Sequence, residues 1–325
     1  MRRREFIKLV SAVAVVISCS ARAQQPARGT VSIGILSPPG IAGISQAFVE
    51  ALAKLGYQQG KDLTILFRAA KTSAELAILA QELVSLKPDI MVTTSTPPTL
   101  ALKHATATIP IVMIGVGDPI ATGLVQSLAH PGGNITGTAN AVEEWFAKRL
   151  QSVTEMLPSL RCLSYLRNPA TQSIIAGDAG RKSIGQKLGI DFNVIDVSTP
   201  EQLDQVLTRP LEPRCASALF LPLDGLFIAR RTQIAEYALR QKAALFAPFR
   251  EDAEAGALIA FGFNLDLQWR LGADYVDQIL KGAKPEDLPV QQPVRFETII
   301  NMKTAKALGI QVPPSLLLAA DEAIE

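Results

Sequence analysis

The side chains that could do chemistry in this chain are polar groups placed just after short apolar runs. Ser37 follows VSIGIL, Ser95 and Thr96 follow IMVTT, and Gly117-Asp118 follows IVMIGV. In the second half Asn168 follows LSYLR, Asp224 lies beyond ALFL, and Arg250 follows LFAPF. A residue set of this kind suits binding. Hydroxyls and the free N–H groups of a helix start hold a carboxylate. An Asp away from water holds an ammonium. Each of Ser95, Thr96 and Asp118 also has a plainer role, as the cap of the helix that follows it. Phe249 and Phe261 could face an aromatic ligand, but their type favours a core role for each.

Catalytic readings fail on spacing. Gly115-Val116-Gly117 starts like a dinucleotide fingerprint, but Ile120 stands where the third glycine belongs. Gly180-Arg181-Lys182-Ser183 has Arg181 inside the Gly-Lys pair of a phosphate loop, and Ile175 at its first glycine. His104 and His130 have no neighbouring Cys or His, so a metal site is not expected. The chain has no G-x-S-x-G elbow. No cofactor is expected, and an enzyme is disfavoured.

The elements that position these groups alternate. Val31–Leu36, Leu63–Phe67, Ile90–Thr93 and Ile111–Ile114 read as strands rich in branched aliphatics. Ile44, Phe48, Leu52 and Leu55 mark one intervening helix, and Leu76, Leu79, Leu83 and Leu86 another. Asp118-Pro119 reads as the start of a short helix that Pro131-Gly132-Gly133-Asn134 ends. The pattern restarts after Asn140, with strands at Leu163–Leu166, Phe192–Val197, Ala216–Leu221 and Ala244–Phe246. Such alternation predicts right-handed βαβ units and mostly parallel sheets. Ligands of such sheets bind beyond the carboxyl ends of the strands. Leu258–Phe261 is expected to return to the first lobe. The expected division is lobe 1 over 29–139 plus 254–290 and lobe 2 over 140–253 plus 291–325, with crossings near Asn140, Ala253 and Pro289 as a three-segment hinge. Trp145 and Trp269 fall within helices and are expected away from the rim, which ranks sugars below acids.

Two long segments carry a resemblance. GDPIATGLVQSLAHPGGNITG, from Gly117, and DYVDQILKGAKPEDLPVQQPVRFETIINMKTAKALGIQVPPSLL, from Asp274, resemble the bacterial ABC-transporter substrate-binding proteins related to tryptophan/phenylalanine binders. The resemblance spans essentially the whole chain after the leader. It implies an α/β fold of two Rossmann-like lobes, as in type I periplasmic-binding proteins. It also implies a small-molecule ligand, in that family an amino acid or related carboxylate, and an ABC permease as partner. A ligand-sensing domain for a receptor is the main alternative, and a doubly wound enzyme the second.

The start of the chain reads as an export leader. Arg3-Arg4-Glu5-Phe6-Ile7-Lys8 fits the twin-arginine pattern, and Leu9–Ile17 is shorter than the ~20 residues of a membrane span. Ala21-Arg22-Ala23 suits cleavage before Gln24, giving a signal peptide over 1–23 and a periplasmic protein. Val16-Ile17-Ser18-Cys19 offers the rival reading of a lipoprotein. Of 32 basic and 30 acidic residues, the leader holds four Arg, one Lys and one Glu, so its removal leaves about −2. That balance gives no basic surface for nucleic acid. No later stretch is long and apolar enough for a stable membrane span. Cys162 and Cys215 then remain, either as buried thiols or, in an oxidising compartment, as a disulfide.

Overall fold

The computed structural model describes residues 30–41, 43–140, 142–292 and 296–325. The expected signal peptide, its twin-arginine motif and both cleavage readings lie outside the described residues.

The first lobe opens with β1 (Val31–Ser37), α1 (Gln46–Lys54), β2 (Leu63–Ala69), α2 (Leu76–Ser85), β3 (Ile90–Thr94), α3 (Thr96–Ala105), β4 (Ile111–Gly117) and β5 (Ile135–Asn140). Its sheet runs β2-β1-β3-β4-β5, and every pairing is parallel. Both faces are covered, so apolar residues point both ways along each strand. In β4, Val112 and Ile114 join one core cluster with Phe48 and Leu52. Ile111 and Met113 join the other, with Leu83 and Leu102. The β4–β5 register shifts between Met113 and Val116. Gly137 sits there at φ +133°, where an added Cβ would stand 2.0 Å from the Met113 carbonyl oxygen. Only glycine lets β5 approach β4 this closely.

The segment between β4 and β5 corrects one expectation. No helix follows Asp118-Pro119; residues 118–134 run as turns and bends. Leu124 and Val125 donate back to the Pro119 carbonyl, but Gly123 is left-handed at φ 68° and Asp118 stands at φ 30°. A single turn forms and cannot propagate through those backbones.

The second lobe continues with α4 (Val142–Met156), β6 (Cys162–Arg167), α5 (Gln172–Ala176), α6 (Asp178–Leu188), β7 (Asp191–Asp196), α7 (Pro200–Val206), β8 (Ala218–Phe220), α8 (Gly225–Ala229), α9 (Arg231–Arg240), β9 (Ala244–Ala247), α10 (Arg250–Glu254) and β10 (Ile259–Gly262). The chain then crosses back to α11 (Leu265–Leu280), whose Trp269, Ala273 and Val276 pack on the first lobe with Phe48. It finishes in the second lobe with β11 (Glu297–Asn301), α12 (Met302–Leu308), α13 (Pro314–Ala319) and β12 (Glu322–Ile324). The second sheet runs β12-β11-β10-β9-β8-β6-β7 and is parallel except where β11 meets β10.

Three crossings join the lobes, as expected, but the middle one is displaced. Ile259 and Ala260 pair with Phe246 and Ala247, so the strand expected in lobe 1 belongs to lobe 2. The chain changes lobe between Gly262 and Leu265, about ten residues after the expected Ala253. A short apolar strand fits either sheet by type; only the pairing chooses. Near the third crossing Gln291 exchanges backbone hydrogen bonds with Gly137 and Ala139 of lobe 1, whereas β11 is already in lobe 2.

Cys162 and Cys215 are joined by a disulfide. It links the amino end of β6 to the turn before β8, at the end of the sheet away from the carboxyl termini of these parallel strands.

Candidate functional site

The carboxyl ends of both parallel sheets face one cleft, because each βαβ unit brings its strand end and following loop to the same side. A cavity of about 500 Å³ fills it, bounded by both lobes. Lobe 1 contributes the loop after β1, the segment at Lys71–Ala74, the start of α3 and the ends of β4 and β5. Lobe 2 contributes α4, β6, the loop after β6, the loop before α7 and the turn into α8. A second cavity of about 370 Å³ shares Pro38, Ser95, Gly115, Leu223 and Gly225 with the first and runs toward Phe249, Phe263 and Trp269. The lobes touch at their shared rim. A Cβ on Gly40 would lie 2.4 Å from the Gly225 carbonyl oxygen, and one on Gly225 2.4 Å from that of Pro39.

Of the eight residues expected at a binding rim, Ser95, Thr96, Gly117, Asn168 and Asp224 line the main cavity. Three do not. Ser37 is buried at the end of β1, outside both cavities. Asp118 is exposed, and its Oδ1 accepts from the Ala121 N–H at 2.9 Å, a turn cap. Arg250 opens α10 and pairs with Glu322 and Glu254 on the outer edge of lobe 2. For Asp118 the plainer role of a cap is the one found, and the charge of Arg250 is taken up by surface ion pairs.

The polar groups that reach the cavity differ in what they have left to offer. Asp224 is buried, and its two oxygens accept from Asn168 Nδ2 at 3.2 and 3.1 Å, Thr171 Oγ1 at 2.5 Å and the Leu226 N–H at 2.9 Å. It is the N-cap of α8. Burial pushes its carboxyl up from the ordinary aspartate range, and those donors push it back. The roughly four acceptor directions of a carboxylate are thus largely taken up. At the start of α3, Pro97 and Pro98 remove two of the first-turn N–H groups, so this helix end presents fewer donors than its position suggests. Ser95 stands at φ 63° with its hydroxyl buried and without a hydrogen-bond partner. Asn140 Nδ2 donates to the Gly115 carbonyl, and its Oδ1 is buried and unmatched.

Residues not expected from the sequence build the lobe 2 wall. Trp145, Phe146 and Arg149 on α4, Tyr165 on β6 and Phe220 on β8 all line the cavity. The Trp145 indole N–H donates to the Phe261 carbonyl at 2.9 Å. The Arg149 guanidinium lies 3.9 Å from the Phe220 ring centroid and 4.7 Å from that of Trp145. Arg181 lies 5.8 Å over Tyr165, and Asp178 holds it. Trp269 lines the second cavity, so neither tryptophan is away from the cleft. The placement of the two tryptophans therefore does not rank sugars below acids. One signal in the sequence pointed at Arg149. It stands in the apolar stripe Phe146, Leu150, Val153 and Met156, where a charged residue has no solvent to face. Among the described residues no group of His, Cys, Asp and Glu could hold a metal ion.

A model of the family described as ABC transporter substrate binding protein matches residues 31–324. The chain belongs to this family. Its members are extracellular or periplasmic, and the family is one of solute-binding proteins, not of enzymes. A tyrosine-binding protein of Clostridioides difficile is 26% identical over 278 residues, 85% of this chain and 79% of that one. A conserved domain protein from Vibrio cholerae superposes with a TM-score of 0.83 at 26% identity, over 90% of this chain and 99% of that one. An ABC domain from Streptococcus pneumonia, solved with L-Trp, gives 0.80 at 23% identity, over 91% of this chain and all of that one. The two lobes, mostly parallel sheets and helices between them are the type I periplasmic-binding architecture. Among the described residues no helix is long and apolar enough to cross a membrane.

Proposed function

We propose that this protein is the periplasmic solute-binding component of an ABC importer, and that it takes an amino acid or aromatic carboxylate between its lobes. The observation that carries the reading is the cavity itself. Both lobes line it, aromatic rings cover one wall, and several buried polar atoms on its surface have no partner within the protein. Pockets of a few hundred Å³ with apolar walls and few polar groups suit small ligands. The relatives described as binding tyrosine and L-Trp favour an amino acid with a flat ring. Ligand that touches both lobes stabilises the closed arrangement, and the permease reads that arrangement. Export follows the twin-arginine route, with cleavage before Gln24.

The test is a thermal-shift screen of amino acids, aromatic acids and sugars, with calorimetry on each hit. An aromatic amino acid or acid is expected to raise the melting temperature through its preference for the folded state. Small-angle scattering should show a smaller radius at saturation. Binding of sugars alone rejects the ligand class, and an unchanged radius rejects closure. Mass spectrometry of the periplasmic protein should begin at Gln24; a lipidated Cys19 terminus would make it a tethered lipoprotein instead.

A further inference from the structure

The expected carboxylate sites of this cleft are weaker than the sequence suggests. No helix starts at Asp118, and Pro97 and Pro98 strip donors from the start of α3. The opposite wall holds a donor of another kind. Arg149 is 2% exposed. Its Nη2 donates to the Leu221 carbonyl at 2.9 Å and to that of Phe246 at 3.1 Å. Its Nη1 is buried and has no partner, and among the described residues no carboxylate forms an ion pair with it. The buried Asp252, whose charge acts on Arg149, is committed to the Phe249 N–H at 2.9 Å and to Arg231 at 3.4 Å.

We infer that Arg149 is the anion receptor of the cleft, and that a solute held there presents a carboxylate to lobe 2 with its apolar body along Trp145, Phe146, Tyr165 and Phe220.

A buried cation without a counter-charge is costly, and so is a buried N–H without an acceptor. The two rings beside Arg149 offset part of that cost through their faces but satisfy none of its N–H groups. Burial lowers the guanidinium to about 9, which leaves it a cation at neutral pH. Two carbonyls hold the guanidinium through Nη2 and two rings flank it, which leaves Nη1 as a pre-organised charged donor for one carboxylate oxygen. Nε of Arg181 in the same wall is buried and unmatched too, so the wall as a whole is short of acceptors. Lobe 2 would then capture the acid first, and lobe 1 would close over the remainder of the ligand.

This inference rests on solute binding in the cleft, and the test separates the two. Calorimetry compares 3-phenylpropionate with 3-phenylpropionamide, and L-phenylalanine with its amide, on the wild type, Arg149→Lys and Arg149→Gln. The wild type should favour each acid over its amide by about tenfold or more, the usual advantage of a charge-assisted hydrogen bond. Arg149→Gln should bring acid and amide within about twofold of each other, and Arg149→Lys should give an intermediate preference because it keeps charge but loses the two carbonyl bonds that hold the donor in place. Circular dichroism and melting without ligand report whether each variant is folded. If Arg149→Gln does not fold, Arg149→Lys decides, and a preference equal to that of the wild type overturns the inference. Acids and amides bound alike by the wild type, or a preference that survives in folded Arg149→Gln, overturns it while solute binding stands. Absence of both acids and amides from the wild-type cleft also overturns it. A neutral solute that still binds then preserves the binding function, and a panel with no ligand at all removes that function as well.

Discussion

At the scale of single residues, the cleft is defined by which polar atoms are already spoken for. Asp224 holds Asn168, Thr171 and the first turn of α8 together. Its removal leaves those donors facing each other in a buried spot. Asp224→Ala is expected to destabilise lobe 2 by about 1–3 kcal/mol, the sum of a lost cap and unpaired buried groups. Urea unfolding measures this. The same variant tests the ligand side. If Asp224 also meets an ammonium, by exchanging one of its present donors, L-phenylalanine should lose more affinity than 3-phenylpropionate. An equal loss for both assigns Asp224 to the cap alone. Ser95 and Asn140 are the reverse case: their hydroxyl and Oδ1 are buried with nothing to bond, as expected where a ligand or water completes the set.

At the scale of elements, each strand end has a chemical end and a structural end. The disulfide between Cys162 and Cys215 belongs to the structural one, far along β6 from Arg167 and Asn168 at the cleft side. A link between positions 53 residues apart restricts the unfolded chain and contributes about 2–4 kcal/mol. The double variant Cys162→Ser/Cys215→Ser should therefore melt lower, and reductant should no longer affect it. Its ligand affinity should stay within about twofold of the wild type, since remote sites act nearly independently. A large loss of affinity in the folded variant would show that the two ends of the sheet are coupled. α4 has the complementary role. It leaves the crossing after Asn140 directly, so its early turns carry Trp145 and Arg149 into the cleft and its later turns carry Val153 and Met156 into the core.

At the scale of the whole molecule, the lobes meet through glycine on both sides of the cleft mouth. Gly225 opens α8 in an ordinary backbone conformation, so alanine suits it within its own lobe. Across the cleft the added methyl would stand 2.4 Å from the Pro39 carbonyl oxygen. Gly225→Ala is thus expected to leave unliganded melting unchanged, to weaken ligand about tenfold, and to reduce the ligand-induced fall in scattering radius. These follow if closure needs this contact, since a variant that disfavours the closed population taxes affinity by the same factor. Wild-type affinity and compaction in Gly225→Ala would remove the contact from the closed state. Gly40→Ala is a poorer probe, because Gly40 is left-handed at φ +89° and would be strained in either state.

The sequence by itself determined the alternation of strands and helices, the two similar halves, the crossings near Asn140 and Pro289, and the placement of five of the eight expected residues on the cavity wall. These are local properties: apolar period, glycine and proline punctuation, and the rule that polar groups after parallel strands face one side. The tertiary structure decided the rest, for reasons of pairing and direction. Ile259–Gly262 could join either sheet until Phe246 paired with it. Asp118 and Arg250 had suitable chemistry but were drawn to the Ala121 N–H and to Glu322, neither of which spacing reveals. Trp145 read as a helix residue away from the rim because the facing of α4 depends on how the chain leaves the hinge. Which buried donor lacks a partner is a property of the assembled fold alone, since it depends on every neighbour that packing brings near. That is why Arg149, legible only as a charge in an apolar stripe, gained its meaning from the folded structure.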